Sequence, residues 1–158
     1  MGIVVRSAGD EDAQLIADLT RASWAGKIVD TSSGHRETAE QVASNLRQGG
    51  AFILLYRDEP VGSVRWLPLD LDPNVWEIVR MGILPLHRGA SLSQHLLEAV
   101  IHHALERGAS ELRLAIRGDQ PLLIDFYAAM EFELADELEH SHARDAEPSP
   151  RVMRRLLR

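Results

Sequence analysis

The stretch from residue 75 to residue 116 constrains the fold of this 158-residue chain more than any other. It begins with the run VWEIVRMGI, whose apolar residues fall on both faces of a strand, as expected where both faces are covered. The run LHRGASLSQHLL then enters a helix that stops at Gly108, and ELRLAI follows as a second strand. A strand, a helix and a strand in this order predict a parallel crossover.

The segments around this crossover favour antiparallel strands. Residues 3–6 form a short β-type run, and helical patterns follow over residues 10–24 and 37–48. The runs AFILLYR and VGSVRWL predict a hairpin joined by residues 58–60. A helix over 118–130 and the strands EFELADEL and RVMRRLL close the chain. The order β-α-α-β-β-β-α-β-α-β-β predicts a single α/β domain over 1–158, with a mixed, mostly antiparallel sheet and one parallel junction near its middle.

Composition excludes several classes of function. A net charge of −7 argues against broad electrostatic binding to DNA or RNA. The chain has no cysteine, which excludes disulfides, zinc-thiolate sites and cysteine nucleophiles and favours a reducing cytoplasm. No run approaches the roughly 20 apolar residues of a membrane span, and MGIVVRSAGDED does not match a signal peptide. We therefore expect a cytoplasmic protein without a membrane or nucleic-acid partner.

The loop HRGAS is the first candidate for chemistry. A helix N-terminus carries unpaired N–H groups and a positive dipole end, so it attracts anions. Arg88 adds a positive charge, Gly89 allows close backbone approach, and Ser91 and Ser93 can cap the helix or donate to phosphate oxygens. The alternative interpretation is an ordinary helix capped by Ser91, with a solvated Arg88.

The run EIVRMGILPLHRGASLSQHLLEAV resembles the acetyl-CoA-binding motif of the GCN5-related N-acetyltransferase (GNAT) superfamily. That motif is a strand, a short bend, and Gln/Arg-x-x-Gly-x-Gly/Ala opening a helix. Arg88, Ser91 and Ser93 take the three specified positions, so serines replace both glycines. The predicted order of strands and helices is also the family's over nearly the whole chain.

A second segment strengthens the resemblance. DFYAAMEFELADE is similar to the family's Tyr-x-x-x-Gly-Phe segment before the last strand pair. Tyr127 and Phe132 match this pattern, and Glu131 replaces the glycine. The resemblance implies the GNAT fold, with about seven strands flanked by helices and a central parallel pair that splays apart.

The resemblance also implies acetyl-CoA as the acyl donor. Pantetheine would lie in the splay and pair with the backbone of Met81, Gly82 and Ile83. Gln120 lies where many members place an asparagine that contacts the cofactor. Pyrophosphate would bind the amides of the loop residues Arg88, Gly89, Ala90, Ser91, Leu92 and Ser93.

Acyl transfer from a thioester to an amine needs a base, an oxyanion donor and an acid for the departing thiolate. Glu77 is the candidate base, acting through water, because it precedes the loop on the same strand and its parity places it with Met81 and Ile83. The alternative for Glu77 is a structural ion pair. Tyr127 is the candidate acid, and its alternative is a core tyrosine. The backbone N–H of Ile83 is the natural oxyanion donor if the fold holds.

The acceptor site is less defined. Trp24, Arg65 and Trp66 are candidates to line it, although either tryptophan can equally belong to the core. His102 and His103 are adjacent on a helix and face different ways, so no metal site is predicted.

The function predicted is an acetyl-CoA-dependent N-acetyltransferase acting on a primary amine of a small molecule in a ternary complex. One alternative acceptor is a protein N-terminus or lysine. The other alternative is a non-catalytic acyl-CoA-binding or regulatory module with the same fold. A homodimer is an expectation from the family alone.

Overall fold

The computed structural model describes residues 2–24, 36–88, 91–116, 122–138 and 150–157. In chain order the elements are β1 (Ile3–Ser7), α1 (Ala13–Trp24), α2 (Ala39–Gln48), β2 (Gly50–Tyr56), β3 (Glu59–Pro68), β4 (Val75–Ile83), α3 (Leu92–Glu106), β5 (Glu111–Ile116), α4 (Leu122–Ala129), β6 (Glu133–Leu134) and β7 (Arg151–Leu156). The predicted order of elements is confirmed.

The strands form a seven-stranded sheet in the order β1-β2-β3-β4-β5-β7-β6. The pairs β1–β2, β2–β3, β5–β7 and β6–β7 are antiparallel. The pair β4–β5 is parallel, with a register that runs from Val75 opposite Glu111 to Glu77 opposite Arg113. Strand β4 then continues to Ile83. The prediction of a mixed sheet with one central parallel junction is therefore confirmed.

The chain divides into two compact units, one of Met1–Leu67 with Arg80–His103 and one of Pro68–Val79 with Ala104–Arg158. In the first unit, Ile16, Val42 and Ile53 form the centre of a core that the inner faces of α1, α2 and β2 enclose. The partly buried Ala39, Ala43 and Leu46 of α2 pack against it.

Gly9 is the N-cap of the first helical turn, where Asp12 accepts from the Gly9 N–H at 2.9 Å and pairs with Arg6. Two boundaries in the first unit differ from the predictions. The β2–β3 connection is not residues 58–60. Arg57 and Asp58 form a two-residue turn with φ of 50° and 70°, which is the geometry that a tight hairpin favours.

The second helix begins at Ala39 instead of residue 37. Thr38 is its N-cap, and its hydroxyl and the Gln41 side chain form a capping box. Glu37 therefore lies outside the helix, and its side chain can enter the interior.

The second unit is built on β5 and β7, where Leu112, Leu114 and Met153 are buried. On the helix of this unit, Leu122 is 81% exposed and Tyr127 is buried. Helix α4 has the sequence LLIDFYAA, which is apolar nearly all round, so apolar positions alone do not define its inner face. Strand β6 is also only two residues long, much shorter than EFELADEL.

No helix among the described residues is long and apolar enough to cross a membrane.

Candidate functional site

The end of β4 presents one backbone edge away from β3. The Leu84 N–H donates to the Val61 carbonyl at 2.8 Å, so this amide faces β3. Because successive peptide groups of a strand alternate in direction, the N–H and C=O of Ile83 face the opposite edge. This is the edge to which the family resemblance assigns pantetheine and the oxyanion donor.

Glycines allow α1 and β3 to approach this strand end closely. A Cβ on Gly82 would lie 2.8 Å from the ring of Trp24, and one on Gly62 would lie 2.5 Å from Ile83 Cδ1. Ile83 is buried, and Met81 and Gly82 are half-buried. Trp24 therefore packs directly on β4, so the structure brings one acceptor-site candidate beside one cofactor-site candidate.

Strand β4 is irregular at Arg80, which has a φ of 54° although it lies within the strand. A non-glycine residue with this backbone is strained, and such irregularities bend a strand and re-aim its side chains. The alternation that placed Glu77 on one face with Met81 and Ile83 is thus interrupted between them.

Arg88 folds back on the protein. Its Nε donates to the Ile83 carbonyl at 3.3 Å, and its Nη2 donates to the Ser23 carbonyl at the end of α1. Arg88 is an exposed residue, as the solvated alternative expects, but its guanidinium also bonds to these two carbonyls. Its guanidinium ties the loop to β4 and α1, and a phosphate contact by this side chain stays a prediction.

Ser91 has a φ of 60°, the left-handed backbone that favours glycine. It directly precedes α3, and its carbonyl accepts from the Gln94 N–H at 3.2 Å. An ordinary N-cap has extended backbone, and no described residue bonds to the Ser91 hydroxyl, so simple capping by Ser91 is not observed. The glycine that the motif has at this position would adopt this left-handed φ without strain.

The other predicted cofactor residues divide into two groups. Leu92 is buried, and Ser93 is half-buried in the first turn of α3. Gly89, Ala90 and Gln120 lie outside the described residues.

Tyr127 lies on the inner face of α4 and is 8% exposed. Its ring centroid is 5.0 Å from that of Phe126 and 5.9 Å from that of Phe132. Burial raises the pKa of the Tyr127 hydroxyl well above its ordinary value, so the phenol keeps its proton throughout the neutral and mildly alkaline range. None of the described residues hydrogen-bonds to this hydroxyl.

Glu131 follows α4 and has a φ of 69°. The Phe132 N–H donates to the Tyr127 carbonyl, and the Glu131 N–H donates to the Ala128 carbonyl, both at 3.0 Å. This pair of bonds is a Schellman motif, in which the left-handed residue is usually glycine. Like Ser91, Glu131 therefore stands at a left-handed position where the motif has glycine.

Glu77 is buried with 1% exposure, on the part of β4 that pairs with β5. Its register partner is Arg113, whose guanidinium bonds to Glu111 at 2.6 Å. Its role as base stays a prediction.

The remaining acceptor-site candidates are interior residues. Arg65 is fully buried, and its guanidinium donates to Glu37, Thr20 and Asn45. Trp66 is also buried and packs against Phe52 and His103, with ring centroids 4.9 Å and 5.0 Å away. These contacts favour the core alternative for Trp66 and a structural role for Arg65.

Glu37 is a residue of this region that was not predicted from the sequence. It is 3% exposed and accepts from both Arg65 and Arg80. One local signal exists, because Thr38-x-x-Gln41 is a capping-box pattern that starts the helix after Thr38 and leaves Glu37 outside it. The partners of Glu37 lie 28 and 43 residues away, which no local pattern predicts.

Among the described residues, no cluster of three or more histidine, aspartate or glutamate side chains could hold a metal ion.

A family model described as the acetyltransferase (GNAT) family matches residues 16–132 of the chain. The chain belongs to this family. The resemblance read from the two motifs is therefore confirmed, and the left-handed residues Ser91 and Glu131 of this GNAT chain occupy the positions where the family pattern has glycine.

Two curated relatives are mycothiol acetyltransferases. The one from Kytococcus sedentarius is 28% identical over 143 residues, which is 85% of this chain and 46% of that protein. The one from Streptomyces griseus is 23% identical over 133 residues, which is 83% of this chain and 43% of that protein. The chain thus spans less than half the length of these relatives.

Solved structures show the same fold. The PaiA N-acetyltransferase from Thermoplasma acidophilum, in complex with coenzyme A, has a TM-score of 0.78 at 16% identity, with 99% of each chain covered. The ribosomal-protein-S18-alanine N-acetyltransferase from Escherichia coli has a TM-score of 0.77 at 16% identity, covering 98% of this chain and 94% of that one. The predicted GNAT fold is confirmed.

Proposed function

We propose that this chain is an acetyl-CoA-dependent N-acetyltransferase that transfers an acetyl group to a primary amine of a small molecule. The observation that carries the proposal is the connection from β4 to α3 in a chain of this family. There the backbone of Ile83 faces away from β3, and Ser91 keeps the left-handed conformation of the motif glycine.

The residues present fit a ligand with an extended amide-rich arm and a diphosphate. At the end of β4, the Ile83 N–H faces away from β3 and can pair with an amide carbonyl. The loop that precedes α3, a helix of 15 residues, presents N–H groups and a positive dipole end to an anion. When bound, acetyl-CoA supplies an activated thioester, and the Ile83 N–H is placed to stabilise negative charge on the acyl oxygen.

Two side chains would move the protons. We assign Glu77 as the base that accepts the amine proton through water, because it is a buried carboxylate on the same strand. We assign Tyr127 as the acid for the CoA thiolate. Its raised pKa keeps the phenol protonated, and its hydroxyl bonds to none of the described residues.

The acceptor assignment rests on the relatives. Both curated relatives are named mycothiol acetyltransferase, after a small molecule, which favours a small-molecule acceptor over a protein. The protein-directed E. coli enzyme shares the fold at 16% identity, and this likeness carries no inference about the acceptor. The cytoplasmic location and the homodimer stay predictions.

A second candidate is a module that binds acyl-CoA without turnover. The observation that favours it is the strained backbone at Ser91 and Glu131, where the family pattern has glycine. The strain at Ser91 would weaken the loop before α3, and the strain at Glu131 would lower the stability of the fold without removing it.

Two assays separate these candidates. Acetyl-CoA at 100 times its dissociation constant should stabilise the protein by ~2.7 kcal/mol in thermal unfolding, with desulfo-CoA and ATP as controls. Release of free CoA across a panel of small amines then tests turnover, with an N-terminal peptide as the protein-type acceptor. Absence of stabilisation would overturn both candidates, and stabilisation without release on any amine would favour the module.

A variant tests the proton donor. Tyr127→Phe keeps the ring contacts with Phe126 and Phe132 and removes only the hydroxyl. We expect kcat to fall by about tenfold or more, with acetyl-CoA affinity nearly unchanged. An unchanged kcat would contradict the acid assignment.

A further inference from the structure

Three charged residues, Glu37, Arg65 and Arg80, form a charge cluster inside the first unit. Glu37 Oε1 accepts from Arg65 Nη2 at 2.6 Å and from Arg80 Nε at 2.9 Å. Glu37 and Arg65 are both nearly inaccessible, with 3% and 0% exposure. One carboxylate oxygen thus connects β3 to the irregular residue of β4.

The position of Glu37 is fixed independently of Arg80. Arg65 is anchored by Thr20 Oγ1 at 3.2 Å and by Asn45 Oδ1 at 3.0 Å, from α1 and α2. Burial lowers the pKa of the Arg65 guanidinium, and the Glu37 carboxylate opposes this shift. A buried guanidinium without its carboxylate would be costly, so Arg65 holds Glu37 in place.

Arg80 is the strained member of the cluster. Its φ of 54° is a conformation that glycine adopts readily and other residues rarely adopt. Such a residue keeps this backbone only where the surroundings determine it. The bond to Glu37 supplies one such restraint, because the guanidinium reaches this fixed carboxylate from the left-handed backbone.

We propose that Glu37 is a positioning residue: by holding the Arg80 guanidinium, it fixes the left-handed backbone of Arg80 in β4 and so sets the course of Met81, Gly82 and Ile83. This inference rests on the proposed function, because it is that function which assigns the three backbone groups to acetyl-CoA. Glu37 acts on the ligand through Arg80 alone.

A matched pair of variants separates the backbone from the side chain. Arg80→Ala and Arg80→Gly both remove the ion pair with Glu37, and they differ only by a Cβ. The alanine must still adopt a strained φ, whereas glycine adopts it unaided. We expect Arg80→Ala to weaken acetyl-CoA binding by about tenfold and Arg80→Gly to stay within about threefold of wild type in calorimetric titration.

A double-mutant cycle tests the route through Arg80. Glu37→Gln removes the charge and keeps the volume. In the wild-type background it should weaken acetyl-CoA binding by about fivefold, and in the Arg80→Gly background it should have no further effect. Equal affinities of Arg80→Ala and Arg80→Gly, or an equal loss from Glu37→Gln in both backgrounds, would overturn the inference.

A second measurement tests the role of Glu37 without relying on acetyl-CoA binding. Hydrogen–deuterium exchange of the ligand-free protein should be faster over residues 81–84 in Arg80→Ala and in Glu37→Gln, and near wild type in Arg80→Gly. If wild type fails to bind acetyl-CoA, the proposed function fails, and this exchange pattern still decides the role of Glu37. If Glu37→Gln does not fold, the comparison of Arg80→Ala with Arg80→Gly decides the question by the same measurement.

Discussion

Ser91 before α3 and Glu131 after α4 have the same backbone and different surroundings. Both have left-handed φ, 60° and 69°, and both stand where the motifs that the chain resembles have glycine. Glu131 is flanked by the two bonds of the Schellman motif, and the rings of Tyr127 and Phe132 lie 5.9 Å apart beside it. Both residues are exposed, but Ser91 bonds to its helix through its own carbonyl, which accepts from the Gln94 N–H.

The same left-handed conformation therefore serves a different purpose at each of the two positions. At Glu131 the protein's own hydrogen bonds need the left-handed residue, so its strain should lower the stability of the fold. At Ser91 the loop serves a ligand in the proposed function, so strain should change the population of the binding conformation and hence the affinity.

The largest effect should come from a β-branched residue at each position. Ser91→Val should weaken acetyl-CoA binding by more than about tenfold, because valine strongly resists left-handed φ and the exposed loop can shift. Glu131→Val should instead lower the free energy of unfolding by about 1–2 kcal/mol with affinity retained. Calorimetric titration and urea unfolding of both variants check this. If both variants lost affinity and stability to the same extent, the two positions would not have the different roles assigned to them.

Alkaline pH should destabilise the α4 region through Tyr127. Burial raises the pKa of this phenol above its unfolded value of about 10, so the native state keeps a proton that the unfolded chain releases. The stability is therefore fully present below pH ~10 and is lost as pH rises, by on the order of 1 kcal/mol at pH 11. Urea unfolding at pH 8 and pH 11 should show this loss in wild type and lack it in Tyr127→Phe. A similar loss in both proteins would exclude Tyr127 as its source.

Restoring glycine after α4 should stabilise the fold. Glu131→Gly removes the strain but also gives up the contact to Arg155 at 3.5 Å, which involves an exposed carboxylate and so contributes little. We expect a net gain of about 0.5–1 kcal/mol, with acetyl-CoA affinity unchanged. Thermal unfolding checks the gain, and Glu133→Gly, in the neighbouring strand β6, is a control that should lose stability.

The smallest effect should come from glycine at the other site. Ser91→Gly should raise acetyl-CoA affinity by about two- to fivefold, because the free loop then populates the binding conformation more. Its unfolding temperature without ligand should change less than that of Glu131→Gly. Ser93→Gly is a matched control inside the first turn of α3, and a larger gain there would contradict the assignment of the strain to Ser91.

The sequence predicts the parts of this protein that depend on local pattern. The β4–α3–β5 crossover is predicted by three consecutive segments of the sequence. Each of the two motifs is likewise a continuous stretch. The buried face of α4 is not, because LLIDFYAA is apolar on most sides. The interior position of Glu37 is not predictable either, because it depends on Arg65 and Arg80, which are distant in sequence and brought close only by the sheet.

The central claim is that the backbone between the end of β4 and the start of α3 binds acetyl-CoA. Residue-resolved hydrogen–deuterium exchange with and without saturating acetyl-CoA tests it most directly. We predict slower exchange at the amides of Met81–Ile83 and Ser91–Ser93 when the ligand is bound. Unchanged exchange at both stretches, or protection confined to another part of the chain, would contradict this claim.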